Sequence, residues 1–283
     1  MRPALHVVAG LLLAACSLTT SFDDLTTTVT STEDAGTDAA PRAADASGDR
    51  ATSGGPCDGL PETTRFCTGF DDAPLNEAWD DRQTDRGVVS ADTGAFVSAP
   101  RSLLSATEPV STSGSSPRSY VVKRFPDLAG RAARFTLRLA MSIEQTDPDR
   151  EAVLASFQLE GESGEHAFQI VARMGTEPGT VRVELIEQDV SNSTVGSARL
   201  GCWPAAPGAW ARVEIEVTLR DPAGGGNAWR VTVEGVPTPT SSFTTSVSGG
   251  VPLITAGLSW ARTPAGVWRA RYDDVSLDVA PVD

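Results

Sequence analysis

The sequence predicts an all-β domain of two antiparallel sheets packed as a sandwich, carried behind an export segment and an unstructured stalk. Three observations predict it. Apolar and polar residues alternate over long runs, Gly- and Pro-rich clusters punctuate those runs, and no part of the domain sustains a helical period. At 40% apolar and 6% aromatic residues in 283, the chain can fill one ordinary hydrophobic core.

Residues 1–15 carry one basic residue, Arg2, and then an apolar run from Ala4 to Ala15. That run is 12 residues, too short for a bilayer core that needs about 20 helical residues, so it reads as an export signal. Leu13-Ala14-Ala15-Cys16 resembles the bacterial lipobox. The resemblance implies lipidation of Cys16 after cleavage before it, and Ser17 in the next position implies delivery to an outer membrane of the Gram-negative type. Several acyl chains together, each methylene contributing about 0.8 kcal/mol, would hold a soluble domain stably at a membrane.

Residues 16–56 are the lipidated cysteine and a stalk of Thr, Ser, Ala, Asp and Gly. Seven acids against two arginines and very few large apolar residues keep such a segment unfolded. Its expected reach is on the order of 35 Å by flexible-linker scaling.

Residues 57–283 form the domain. Phe135, Leu137, Leu139, Met141 and Ile143 alternate with polar neighbours, as do Val213, Ile215, Val217 and Leu219. Successive side chains of a strand point to opposite faces, so each run is a half-buried strand. Shorter runs at 119–125, 152–159, 167–173, 181–187, 229–233, 253–260 and 268–279 read the same way. The turn Asp221-Pro222-Ala223-Gly224-Gly225-Gly226-Asn227 joins two of the strands as a hairpin. In the last run the apolar positions change parity at Asp273-Asp274, which a β-bulge would produce, unless its first half is buried on both faces.

Composition excludes several functions. A net charge of −14, −10 of it in the domain, repels phosphate backbones, so no nucleic-acid partner is expected. The same acidity favours neutral or basic glycans over heavily sulfated ones. His166 is the only histidine beyond the export segment, which excludes multi-histidine zinc sites. It is expected at a solvent-exposed turn-to-strand position, and the chain has no Gly-x-Ser-x-Gly nucleophile elbow.

Four segments together resemble a concanavalin A-like jelly roll of the lectin/glucanase and laminin-G type. They are Arg65-Phe66-Cys67-Thr68-Gly69-Phe70-Asp71-Asp72, Gly208-Ala209-Trp210-Ala211-Arg212-Val213, Trp229-Arg230-Val231-Thr232-Val233-Glu234-Gly235 and Arg271-Tyr272-Asp273-Asp274-Val275-Ser276-Leu277. The resemblance implies a two-sheet antiparallel jelly-roll sandwich whose relatives include glycan-binding, protein-binding and hydrolytic members. Fold alone does not choose among these. The laminarinase-type string Glu-x-Asp-x-x-Glu is absent; the nearest pairs, Glu214/Glu216 and Glu184/Glu187, suit a solvated polar face.

Cys57 and Cys67 are expected to pair, closing a short loop at the domain entrance and leaving Cys202 odd. A bridge from Cys202 to either one is the alternative. Asp71, Asp72, Asp273 and Asp274 would come together if the terminal strands are neighbours, as the resemblance implies, and hard oxygen ligands suit a structural Ca²⁺. Solvated acids at strand ends are the plainer reading. For ligand binding, Trp203 is expected on an exposed loop, and Trp260 with Arg262, and Trp268, are further candidates, with core burial as each tryptophan's default. Trp79, Trp210 and Trp229 are expected in the core. The expected function is recognition of a glycan or other surface polymer without catalysis. A glycoside hydrolase or polysaccharide lyase of the same fold is the alternative, and a structural or adhesion module with no small-ligand site is the third reading.

Overall fold

The computed structural model describes residues 57–282 except 72–73, 112–113, 148, 163, 176, 224 and 244–248. The export signal, Cys16, the stalk and Asp72 therefore lie outside the described residues.

The alternating segments become strands of two antiparallel sheets. The first sheet is centred on β6 (Ala133–Gln145), β11 (Trp210–Leu219) and β16 (Arg269–Ala280), and extends through β12 (Asn227–Val233) to β13 (Val236–Pro237) and β14 (Ser241–Phe243). On the other side of β16 lie β4 (Ser102–Thr107) and β3 (Gly87–Asp92), with β1 (Thr64–Thr68) along the second half of β16. The second sheet runs β10 (Thr194–Pro204), β9 (Thr180–Gln188), β8 (Gly164–Met174), β7 (Ala152–Gly161), β15 (Val251–Ala261), β5 (Arg118–Arg124), β2 (Asp81–Asp85). One short helix, α1 (Leu75–Ala78), links β1 to β2.

The core fills the space between the sheets. Phe135, Leu137, Leu139, Met141 and Ile143 of β6 and Val213, Ile215, Val217 and Leu219 of β11 face Leu154, Phe157, Phe168, Ile170, Val183 and Leu185 of the second sheet. Trp79, Trp210 and Trp229 are buried, as their positions at strand starts implied. The hairpin across residues 221–227 is present, with Val213 opposite Val233 and Thr218 opposite Ala228. At Asp273 the pairing of β16 with β6 shifts: Asp273 opposes Ala140, and the next partners are Ser276 and Arg138. This is the bulge that the change of parity predicts, and residues 270–273 are also buried on both faces.

Cys57 and Cys67 form a disulfide with their Cα atoms 5.7 Å apart. No described cysteine is free, so the expectation of an odd Cys202 is corrected. Trp203 also departs from expectation. It lies on β10 opposite Val181, whose side chain points inward, so the register buries it at 5% exposure. Small and polar residues disguised this strand as a loop. Trp268 is fully buried at the start of β16, its backbone N–H donating to Thr107 Oγ1 at 3.2 Å.

His166 is a further correction. It sits on the inner face of β8 with 0% exposure, its Nε2 3.1 Å from Glu187 Oε1 of β9. Glu187 Oε2 accepts the indole N–H of Trp229 in the opposite sheet at 2.7 Å, while His166 stacks on Phe243 with ring centroids 5.0 Å apart. This polar trio ties the two sheets together inside the core. It does not face solvent.

Candidate functional site

Strand alternation gives the second sheet an outer face, and that face carries a groove of about 680 Å³. The parity of each strand decides what enters it. Tyr120, Val122 and Arg124 come from β5, and Gln158 and Glu160 from β7; Glu165, Gln169, Val171 and Arg173 come from β8, and Ile186 and Gln188 from β9. Leu253, Thr255, Ser259 and Trp260 come from β15, with Arg262 just beyond it. Val153, Val171 and Ile186 form a small apolar cluster separate from the main core, and it floors one part of the groove.

An irregularity in β15 shapes the centre. Ala256 pairs with Ala155, but the next pair is Trp260 with Val153, so three residues of β15 span the place of one on β7. The bulge brings consecutive residues, Ser259 and Trp260, to the groove, as bulges do beside functional sites. Gly257 lies within it at φ +117°, directly opposite Tyr120. A Cβ there would sit 2.5 Å from Ser119 O and 2.6 Å from Tyr120 Cα, so only glycine allows β5 and β15 to approach this closely.

Ser105 of β4 holds this junction from the other sheet. Its hydroxyl donates to Ser119 O at 2.5 Å, lies 2.8 Å from Ser119 Oγ, and accepts the Leu258 N–H at 3.0 Å. All three contacts are buried.

Charge is distributed unevenly along the groove. At one end Arg262 pairs with Glu151, which also lies 3.2 Å from Arg173; Arg173 is 3.4 Å from Glu184, and Glu184 is 3.0 Å from Arg182. At the other end Glu160 and Glu165 oppose each other across β7 and β8. Arg124 reaches Glu160 at 3.5 Å, and both side chains are substantially exposed, so the pair contributes little to stability. Burial, reinforced by the charge on Glu160, raises the Glu165 pKa above the usual carboxylate range. Between the ends lie uncharged polar groups, including the hydroxyls of Ser156 and Thr255 at 2.8 Å from each other.

Tyr120 is the one Tyr, His, Lys or Cys side chain among the groove's lining residues. Lys123 is held by Asp80 at 2.7 Å, with its Nζ 5.9 Å from the centre of the Phe66 ring. Tyr272 is wholly buried, and burial pushes its pKa upward. Trp260, 37% exposed, is the groove's aromatic plane. Of the four residues expected to bind ligand, the structure brings Trp260 and Arg262 together in the groove and buries Trp203 and Trp268.

Of the acids considered for Ca²⁺, Asp273 and Asp71 are engaged by neighbouring backbone and side-chain donors. Asp273 is buried and accepts the N–H groups of Val97 and Ser98 at 2.7 and 2.9 Å and the Ser98 hydroxyl at 3.1 Å. Asp71 accepts the Arg101 N–H at 2.9 Å, and its backbone carbonyl accepts the Arg101 guanidinium. Among the described residues no group of three or more His, Cys, Asp or Glu side chains is placed to hold a metal ion. Glu214 and Glu216 lie on the outer face of the first sheet, paired with Arg138 at 2.7 Å and Arg230 at 3.1 Å.

No family model matches the chain, and no curated protein matches it in sequence. Solved structures do match its fold. The endo-β-1,4-glucuronan lyase from the fungus Trichoderma reesei aligns at TM-score 0.51 and 16% identity, covering 76% of this chain and 95% of its own. The alginate lyase Aly36B aligns at 0.52 and 10% identity, covering 77% and 98%. The cellulose-induced protein Cip1 aligns at 0.53 and 12% identity, again covering 77% and 98%. At these identities the likeness shows the fold alone, a two-sheet antiparallel jelly-roll sandwich. The neighbours also overturn the expectation of recognition without catalysis, because two of these three are polysaccharide lyases. A missing hydrolase carboxylate string and a single histidine beyond the export segment argue against hydrolysis, whereas elimination requires neither.

Proposed function

We propose that the groove binds a uronate-containing polysaccharide and cleaves it by β-elimination. In this reaction the C5–H of a uronate is removed, its electrons form the C4=C5 double bond, and the C4–O bond breaks. The departing oxygen takes up a proton, and no water is consumed. The chemistry needs a group that withdraws charge from the uronate carboxylate and a group that moves the proton. Gln158, Gln169 and the groove arginines supply the first, through donors that strengthen as charge develops on the carboxylate. Tyr120 supplies the second, taking the C5 proton and returning one to the leaving oxygen. Trp260 offers its ring face to a sugar, with Arg262 beside it.

The observation that carries this reading is that Tyr120 alone, among proton-moving residue types other than carboxylates, lines the groove, whose lining also includes amide and guanidinium donors. The test is incubation with alginate, glucuronan, hyaluronan and unsulfated chondroitin, following the ultraviolet absorbance of the new double bond. Absorbance should rise with the native chain and not with Tyr120→Phe; a rise that Tyr120→Phe leaves unchanged would remove Tyr120 from the mechanism. A hydrolase reading rests on Glu160 and Glu165 as acid and base, cross-strand partners on β7 and β8. Hydrolysis yields new reducing ends without absorbance, so the same assay separates the two.

We also propose that the domain is exported and held at the outer membrane by lipid on Cys16, with residues 17–56 as its tether. The lipobox resemblance and the stalk's composition support this. Cys16→Ser should abolish lipid labelling and membrane retention; a variant that stays membrane-bound would refute the anchor.

A further inference from the structure

The charge pattern of the groove selects among uronate-containing polymers. We infer that the substrate is a heteropolysaccharide whose uronates are separated by uncharged sugars, in contrast to a homopolymer charged at every unit. This rests on the groove being the glycan site, and three observations lead to it.

The groove has no cationic surplus. Its lining holds three arginines, Arg124, Arg173 and Arg262, against three glutamates, Glu151, Glu160 and Glu165. This balance sits in a chain of net charge −14. A polymer with one charge per sugar therefore meets overall repulsion with no compensating local field.

The two charged ends also act separately. Arg173 and Glu165 are eight residues apart on β8, about 27 Å at strand spacing, against a screening length of about 10 Å at 0.1 M salt. A polymer filling the groove presents one part to the Arg173 and Arg262 end and another to the Glu160 and Glu165 end. An anionic unit is favoured at the first. At the second it would join Glu160 and Glu165, opposed in register with Arg124 alone to offset two carboxylates, so the end keeps a negative surplus. A homopolyuronate cannot avoid placing charge there.

The middle of the groove suits uncharged sugars. Thr255, Gln158, Gln169 and Gln188 offer hydroxyl and amide partners, and Trp260 with the Val153, Val171 and Ile186 strip offers apolar surface to a sugar face.

The test separates binding from cleavage. The full chain is run in native gels containing alginate, glucuronan, hyaluronan or unsulfated chondroitin, the last two alternating uronate with an uncharged amino sugar, and double-bond absorbance is followed on the same polymers. At low salt the alternating polymers should retard the protein at least tenfold more strongly. Glu165→Gln should narrow that gap several-fold by improving binding to alginate, whereas Trp260→Ala should weaken binding to both classes. Retardation by the alternating polymers without absorbance would support the inference and refute the lyase reading. Equal or stronger retardation by the homopolymers, or none by any polymer, would overturn the inference, whether or not absorbance appears.

Discussion

On the outer face of the first sheet, Arg138 sits 2.7 Å from Glu214 and also pairs with Asp278, Arg230 sits 3.1 Å from Glu216, and Arg271 bridges Glu144 and Asp92. The outer face of the second sheet carries the same residue types in a similar ladder, from Arg262 to Arg182. The two faces nevertheless differ in what covers them. Over the first, Asp273 accepts N–H groups from Val97 and Ser98 of the β3–β4 connection, and Arg271 and Glu144 are nearly inaccessible. Over the second there is a groove, with an exposed tryptophan, an apolar strip and a tyrosine. Alternation supplies outward charges to both sheets. A bulge, a connection and a few aromatic positions make one of them a site.

The sharpest way to break this comparison is at Tyr120. If the groove is the chemical face, Tyr120→Phe should lower turnover by roughly 10²-fold or more, the usual range for loss of a proton-transferring group. Glu214→Gln with Glu216→Gln, on the opposite face, should leave turnover unchanged. Rates of double-bond formation at saturating polymer measure both; similar losses from the two faces would end the assignment.

The contrast also shows what the chain made legible. Period-two runs with large apolar residues, as in β6 and β11, were readable because inward positions carry Phe, Leu, Val and Ile. The strands β2 to β4 and β10 were not, since Asp81–Asp85 is polar throughout and Thr194–Pro204 is rich in small residues. β2 and β4 are ordered by register with β5 and β16, distant in sequence, a kind of information local pattern does not hold. The site was legible only in part. Trp260 and Arg262 could be named from their composition, whereas Tyr120 gave no signal of its own, because its role depends on facing Gly257 across a bulge.

On the covered face the corresponding test is Asp273. Burial raises its pKa to about 6, the N–H groups of Ser98 and Val97 opposing that shift in part. A carboxyl whose folded pKa exceeds its unfolded value stabilises the fold below the unfolded value, near 3.8, and loses that contribution as pH rises through about 6. The stability of Asp273→Asn relative to the native chain should therefore improve by about 2 kcal/mol between pH 4 and pH 7. Urea unfolding at the two pH values measures it, and a flat difference would mean that the carboxyl is not buried as described. Turnover at pH 7 should barely change.

Trp260 lies between these extremes. Truncation to alanine removes one stacking plane and leaves Tyr120 in place, so the expected loss is about tenfold in KM with little change in kcat, of order 1 kcal/mol for an aromatic contact. A kcat effect equal to that of Tyr120→Phe would instead place Trp260 in the chemical step.

The smallest expected effect concerns the residue that belongs to both regions. Ser105 stands on β4 of the first sheet, yet its hydroxyl bonds to Ser119 and Leu258, the neighbours of Tyr120 and of the β15 bulge. Ser105→Ala leaves a buried carbonyl and a buried N–H without this partner, a cost of about 1 kcal/mol in stability. If the contact only held the sheets together, turnover by the folded protein would be unaffected. If it also sets Tyr120 against Trp260 across the bulge, kcat should fall about threefold with KM nearly constant, and Ser105→Thr, which keeps the hydroxyl, should restore part of it. The distinction matters because Ser119, next to Tyr120 on β5, and Leu258 on β15 belong to different strands, and this hydroxyl is a single group bonded to both.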